Sequence, residues 1–265
     1  MKIGYLLCVV GLLFAATAAL AEEPRDPAKL GFVKGITWGW VGGRGDYASP
    51  AAADSMQKLA DTGADWVCIA FAPAMEAHNK PEILFSDDNR QMVADDEIRH
   101  AIELARANDL QVILKPTVNC RDGEWRSWIR FFRPVTDEEK AAGVTGEMDV
   151  WCESPRMRVG EVKDLAAWDR WWNDYTNFIV HYARIAEEEN VPALCIGCEM
   201  GSTEEFEDRW RALIAAVRKV YSGQVTYNLN HGRENDIPWL DALDFISISA
   251  YHPLPVAGDR SLEEA

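Results

Sequence analysis

Short apolar runs alternate with longer amphipathic stretches along the chain. Gly31 to Trp40 (GFVKGITWGW), Asp65 to Phe71 (DWVCIAF), Gln111 to Val118 (QVILKPTV), Pro192 to Cys198 (PALCIGC), Gln224 to Asn230 (QVTYNLN) and Phe245 to Ala250 (FISISA) have strand length and buried-strand composition. Between them, Pro50 to Thr62 reads as a helix stopped by Gly63. Asp95 to Asn108 reads as a second, with Ile98, Ile102 and Leu104 among its inward positions. Asp164 is placed to cap a long helix whose apolar stripe, Leu165, Trp168, Trp172, Tyr175, Ile179, Tyr182 and Ala186, advances in steps of three and four. Ser202-Thr203-Glu204-Glu205 has the form of a capping box, predicting a helix that runs to about Tyr221. A connection from Asn119 to about Val162, rich in Trp, Arg and Asp, reads as a long segment without regular structure, a type that is usually functional.

Strands alternating with helices predict parallel βαβ units. Polar and aromatic clusters follow the strands one after another: Trp38/Trp40, Asn119 to Arg126, Glu199, Asn228/Asn230 and Tyr251/His252. An open doubly wound sheet would gather its site at one switch point, whereas a (β/α)8 TIM barrel spreads it over the C-terminal ends of all strands. The expected fold is therefore α/β, a TIM barrel with about its first six β/α units in this chain. Gly42-Gly43-Arg44-Gly45 follows the first strand without the GxGxxG spacing of a phosphate-binding turn.

Composition adds a destination. Lys2, the apolar run Leu6 to Leu20 and Ala19-Leu20-Ala21 form a signal peptide with cleavage expected after Ala21, leaving 22–265 as one barrel domain in a secreted or periplasmic protein. An uncleaved anchor is the other reading of this segment. The formal net charge is −16, and loss of Lys2 makes the mature chain more acidic still. That balance disfavours nucleic acid, anionic membrane and polyanionic substrates as partners and is compatible with a neutral polysaccharide. Export permits disulfides. Cys120 and Cys152 share the long connection and form a possible pair, whereas Cys195-x-x-Cys198 sits in an apolar strand and reads as two buried small hydrophobes. His231 and His252 lack ligand spacing, so neither metal nor cofactor is expected.

Glu199 is the candidate with the clearest chemistry. Its strand is apolar up to the final residue, and the carboxylate then stands at the mouth of the core. Desolvation there favours the protonated form that a general acid needs, and a glycosidic oxygen leaves poorly unless protonated. The alternative is a glutamate that caps the following turn. Around it, Trp38 and Trp40 share a face suited to stacking on a pyranose or to packing at the barrel mouth. Lys115 is a sugar ligand or a buried, paired lysine. Asp122, Trp125 and Arg126 lie near the cleft, and Asn228 and Asn230 either bind hydroxyls or form a turn before Gly232. Tyr251 and His252 end the sixth strand.

Lys34-Gly35-Ile36, Lys115-Pro116 with Asp122-Gly123-x-Trp125-Arg126, Ile196-Gly197-Cys198-Glu199-Met200 and Tyr251-His252-Pro253-Leu254 occur in the order and barrel positions seen in glycoside hydrolase family 113. The chain resembles that family from its first strand onward. The resemblance implies a retaining TIM-barrel hydrolase acting on β-1,4-mannan, with Glu199 as acid/base, and a nucleophile glutamate at the end of strand seven, which falls outside these 265 residues. It departs from the family at Cys198, often Thr, and Thr117, often His. As a C-terminally truncated barrel the chain is expected to be inactive and marginally stable. Two other readings compete: a non-catalytic carbohydrate-binding barrel, and a barrel enzyme of another class that uses Lys115 in Schiff-base chemistry.

Overall fold

The computed structural model describes residues 30–40, 42–85, 92–148 and 157–252. Six strands form one parallel sheet: β1 (Gly35–Trp38), β2 (Trp66–Phe71), β3 (Gln111–Pro116), β4 (Ala193–Cys198), β5 (Gln224–Asn230) and β6 (Phe245–Ser249). They lie side by side in chain order, with no reversal. Each crossover therefore advances in the same direction, and the sheet curls as part of a (β/α)8 barrel rather than opening at a switch point. β2 and β4 read as continuous apolar runs because both faces are covered, by helices outside and by the barrel interior within. The strands are shorter than their apolar runs at β1, which begins at Gly35 rather than Gly31, and at β3, which stops at Pro116.

The helices are α1 (Pro50–Asp61), α2 (Asp95–Ala107), α3 (Leu165–Glu188) and α4 (Glu207–Arg218). Asp164 caps α3, accepting from the Ala167 N–H at 3.0 Å. The predicted stripe of α3 is buried apart from Leu165, which is 63% exposed in the first turn. Trp171 joins it, stacked on Tyr175 with centroids 4.7 Å apart. A second aromatic stack, Trp210 on Trp239 at 4.6 Å, fills the space outside β4 and β5. Gly197 is needed there: a Cβ would lie 2.9 Å from the rings of both Trp210 and Tyr227.

Two expectations about local structure change. The long connection is not irregular. Phe132–Pro134 pairs with Glu161–Lys163, Gly146–Met148 pairs with Met157–Val159, and Asp137–Ala141 is a short helix. The capping box forms at Thr136–Glu139, not at Ser202–Glu205. Ser202 and Thr203 instead lie within a 3-10 turn, Gly201–Thr203, with their hydroxyls donating to the Ile129 and Met200 carbonyls, and α4 starts at Glu207. The candidate pair Cys120–Cys152 and the signal peptide involve residues outside the described ones. No helix among the described residues is long and apolar enough to cross a membrane.

Thr136–Glu139 carries a pH prediction. Two hydrogen bonds from Arg133, at 2.8 and 2.7 Å, hold the Glu139 carboxyl at about 2, below its ordinary 4.5. A carboxylate depressed in the folded state stabilises fully above its unfolded value and loses that contribution as pH falls through the folded one. The pair should therefore support the fold down to about pH 4.5 and fade between there and about 2. In Arg133→Ala, a carbon-13 titration of Glu139 is expected to return to the ordinary carboxylate range. A curve unmoved from that of the parent would exclude Arg133 as the cause.

Candidate functional site

The sharpest departure from regular geometry in the sheet lies just before Glu199. β4 and β5 keep step through Cys195↔Thr226, and the next pair is Cys198↔Asn228, three residues on one strand against two on the other. This bulge inserts one residue, bends the strand end and breaks the period-two alternation. Cys195 and Cys198 thereby both approach Lys115 in the barrel interior. Both are buried thiols. Burial pushes Cys195 up to about 11 and Cys68 up to about 12, so these sulfurs are neutral at pH 7.

Glu199 follows the bulge in a left-handed conformation, φ +53°. For a residue other than glycine this costs on the order of 1–2 kcal/mol, so surrounding contacts must hold it. Its backbone N–H donates to the Asn228 carbonyl at 2.8 Å. The carboxylate is 17% exposed and is met from two other segments. The Trp125 indole N–H donates to Oε2 at 3.2 Å, Arg126 stands 3.6 Å from the same oxygen, and the Ser249 hydroxyl donates to Oε1 at 2.5 Å. The N–H groups of the turn that follows go elsewhere, Met200 to the Tyr227 hydroxyl and Gly201 to Ser127 Oγ. Glu199 is thus not a helix cap.

A chain of hydrogen bonds crosses the barrel interior to reach it. Lys115 Nζ donates to Asn228 Oδ1 at 2.7 Å, Asn228 Nδ2 to Ser249 Oγ at 3.1 Å, and Ser249 to Glu199. Lys115 is thereby engaged as a donor within the barrel interior.

The other sequence candidates divide by position. Arg126 is buried, donates to the Val118 carbonyl and to Asn119 Oδ1, and lies 4.8 Å from the centre of the Trp40 ring. Trp40 thus belongs to the mouth. Trp38 does not share its face: its indole donates to Ser55 on α1 at 3.0 Å and its ring packs on Tyr47. The cause is Gly39, whose φ of +91° interrupts the alternation, and where a Cβ would meet the Tyr47 hydroxyl at 2.2 Å. Asn230 shares the inward side of β5 with Asn228, two residues further toward the mouth. β6 ends at Ser249, so Tyr251 lies beyond the strand, 79% exposed. Tyr251 and His252 gather around His231, at ring separations of 6.5 and 5.1 Å, and His252 is 3.8 Å from Glu234. Among the described residues no three His, Cys, Asp or Glu side chains converge as metal ligands.

Asp122 is engaged by its own neighbourhood. Oδ2 accepts from the His78 N–H at 3.0 Å and contacts His78 Nδ1 at 2.7 Å, and Oδ1 accepts from the Glu124 N–H at 3.1 Å. Burial opposes its charge, yet these bonds hold its carboxyl below the usual carboxylate range. It staples the loop that carries Trp125. Asp122→Ala is expected to speed amide exchange at Gly123 to Trp125 by about tenfold, the scale set by loss of a charge-assisted hydrogen bond worth roughly 1.5–3 kcal/mol, less its solvent exposure. Unchanged exchange at those amides would remove the staple.

Ser249 escaped the sequence reading although its signal was present. In FISIS, Ser247 and Ser249 alternate with Ile246 and Ile248, which places both hydroxyls on the inward side. Tyr227 and Glu204 carry no such signal, since they are 23 positions apart and meet only through tertiary packing.

Solved structures with the same architecture carry closely related sequences. The GH113 β-mannanase AaManA from Alicyclobacillus acidocaldarius, in complex with ManMIm, is 40% identical, with a TM-score of 0.71 over 86% of this chain and 64% of its own. A GH113 β-1,4-mannanase, described as a complex, is 37% identical, with a TM-score of 0.66 over 84% of this chain and 63% of its own. The chain thus spans under two thirds of the length of these proteins. No curated protein matches it. The profile of glycoside hydrolase family 113 matches residues 36–154 and 144–264, nearly everything from β1 onward. With that coverage, and with solved members of the family superposing on the six-stranded sheet, the chain belongs to glycoside hydrolase family 113.

Proposed function

We propose that Glu199 is the general acid/base of a retaining hydrolase acting on β-1,4-mannan or a related neutral β-linked polysaccharide. The observation that carries this reading is the left-handed Glu199 at the end of β4, its carboxylate held by Trp125 and Ser249 beside Arg126. In retaining chemistry such a group protonates the departing glycosidic oxygen while a second carboxylate, ~5–5.5 Å away, attacks the anomeric carbon. The first group then takes a proton from the water that releases the sugar. Trp125 offers a donor-only contact to Oε2, whereas a serine hydroxyl both donates and accepts. Oε1 is therefore the oxygen that keeps its partner whether or not Glu199 carries a proton. The nucleophile belongs, by family resemblance, to the end of a seventh strand. Trp40, Trp125, Asn230, Tyr251 and His252 are the proposed sugar contacts, and Lys115 and Asn228 support Glu199 from within. Export through residues 1–21 fits a polymeric substrate outside the cell.

A second reading has one observation in its favour. Among the described residues, the side chains touching the Glu199 carboxylate are Trp125, Arg126 and Ser249, and none is a carboxylate. Such a barrel binds a glycan without cleaving it. Reducing-sugar release from β-1,4-mannan, cellulose and xylan tests both readings. A protein that includes the seventh-strand glutamate is expected to act on mannan, and the 265-residue chain to bind mannan oligosaccharides without cleaving them. Release from xylan or cellulose alone would overturn the mannan assignment. Mannan cleavage by the 265-residue chain would show that the second carboxylate is already within it.

A further inference from the structure

The strained backbone at Glu199 needs a cause, and the structure supplies one on the side of β4 and β5 away from the cleft. Tyr227 is fully buried on the outward side of β5. Its hydroxyl accepts from the Met200 N–H at 2.8 Å and donates to Glu204 Oε1 at 2.9 Å. Met200 is the residue immediately after Glu199, so this contact fixes the peptide plane that sets the Glu199 ψ. Glu204 is 2% exposed, and burial pushes its carboxyl up despite the Tyr227 hydroxyl and the Arg233 guanidinium, 3.5 Å from Oε2. The segment carrying it is anchored in turn, with the Trp210 indole on the Thr203 carbonyl at 2.9 Å and the Trp239 indole on that of Glu204 at 3.0 Å.

We propose that Tyr227 and Glu204 are positioning residues that hold the peptide after Glu199 and so keep its carboxylate aimed into the cleft, a role that rests on Glu199 being the acid/base. Glu204 acts through Tyr227. By accepting the phenolic hydrogen it leaves an oxygen lone pair for the Met200 N–H. The bond to Met200 and the bonds from Trp125 and Ser249 hold the residue from opposite ends, backbone and side chain.

The test reads Glu199 through its neighbour. In nitrogen-15-labelled protein the indole N–H signal of Trp125, assigned with Trp125→Phe, reports the bond to Glu199, and Glu199→Ala, which removes the acceptor, calibrates its displacement. Tyr227→Phe and Glu204→Ala are expected to move this signal by at least half the calibrating displacement. Glu204→Gln keeps an acceptor for the phenol and is expected to leave the signal in place. Tyr221→Phe controls for stability alone: its hydroxyl is equally buried but bonds the Val191 carbonyl, before the start of β4. It should lower the melting temperature without moving Trp125. Should Tyr227→Phe fail to fold, the Glu204→Ala and Glu204→Gln pair decides. An unmoved signal in folded Tyr227→Phe, or the same signal in both Glu204 variants, overturns the proposal. Where mannan hydrolysis is measurable, Tyr227→Phe should lower kcat at least tenfold with KM within twofold. Because the spectroscopic arm needs no catalysis, it separates failure of the clamp from failure of the hydrolase reading.

Discussion

Glu199→Gln is expected to lower the rate of mannan hydrolysis by on the order of 10³-fold, within the range assigned to a positioned general acid/base. Glutamine preserves size, and its amide oxygen can still accept from Trp125 while its NH2 donates to the Ser249 hydroxyl, so the fold and the cleft should survive. What it lacks is the proton. The loss should therefore depend on the leaving group. A dinitrophenyl glycoside departs without protonation, and its cleavage by the variant should show a much smaller deficit in the first chemical step. The water that completes turnover still needs a base, so the covalent intermediate should accumulate and give a burst. A variant as active as the parent on mannan removes Glu199 from the mechanism. An equal loss on both substrates makes its role structural.

The second large effect concerns stability. Trp210 is fully buried between Trp239 at 4.6 Å, Tyr227 at 5.1 Å and Trp172 at 5.3 Å, and its indole donates to the Thr203 carbonyl. Trp210→Ala is expected to cost about 3–5 kcal/mol, a cavity plus an unpaired carbonyl. That is a large part of the ~5–15 kcal/mol that holds a domain together. A urea titration followed by circular dichroism should show the midpoint falling steeply. Trp210→Phe should retain much of the packing and lose the hydrogen bond. A shift below about 1 kcal/mol for the alanine variant would mean that the stack is not part of the cooperative core.

These two residues also mark what was readable along the chain. β2 and β4 stood out because a strand covered on both faces is apolar throughout, and α3 because its aromatic stripe repeats at helical spacing. Glu199 was legible as a carboxylate ending such a strand. Trp125, Arg126, Lys115 and Asn228 were named as candidates, and the structure gathers them around it. Other features depend on partners that a single strand does not announce. The bulge at β4 spans Gly197, where a Cβ would lie 2.9 Å from Trp210 and Tyr227, residues 13 and 30 positions away. Trp38 and Trp40 separate because Gly39 yields to Tyr47. The capping-box pattern forms at Thr136 and not at Ser202, which lies inside a 3-10 turn with its hydroxyl on the distant Ile129 carbonyl. Tyr251 and His252 lie beyond the sixth strand, which stops one residue earlier than its run suggests.

The hydrogen-bonded chain from Lys115 through Asn228 and Ser249 to Glu199 uses one residue each from β3, β5 and β6 and the residue that follows β4. No two of its members are close in sequence, so it closes only when all four strands are in register. The acid is thereby wired to the assembly state of the barrel. A protein in which the strands have parted, during folding or under thermal stress, presents a glutamate that has already lost its orienting hydroxyl. Inactivation on heating should then precede the loss of helical signal, the site failing first as the strands separate.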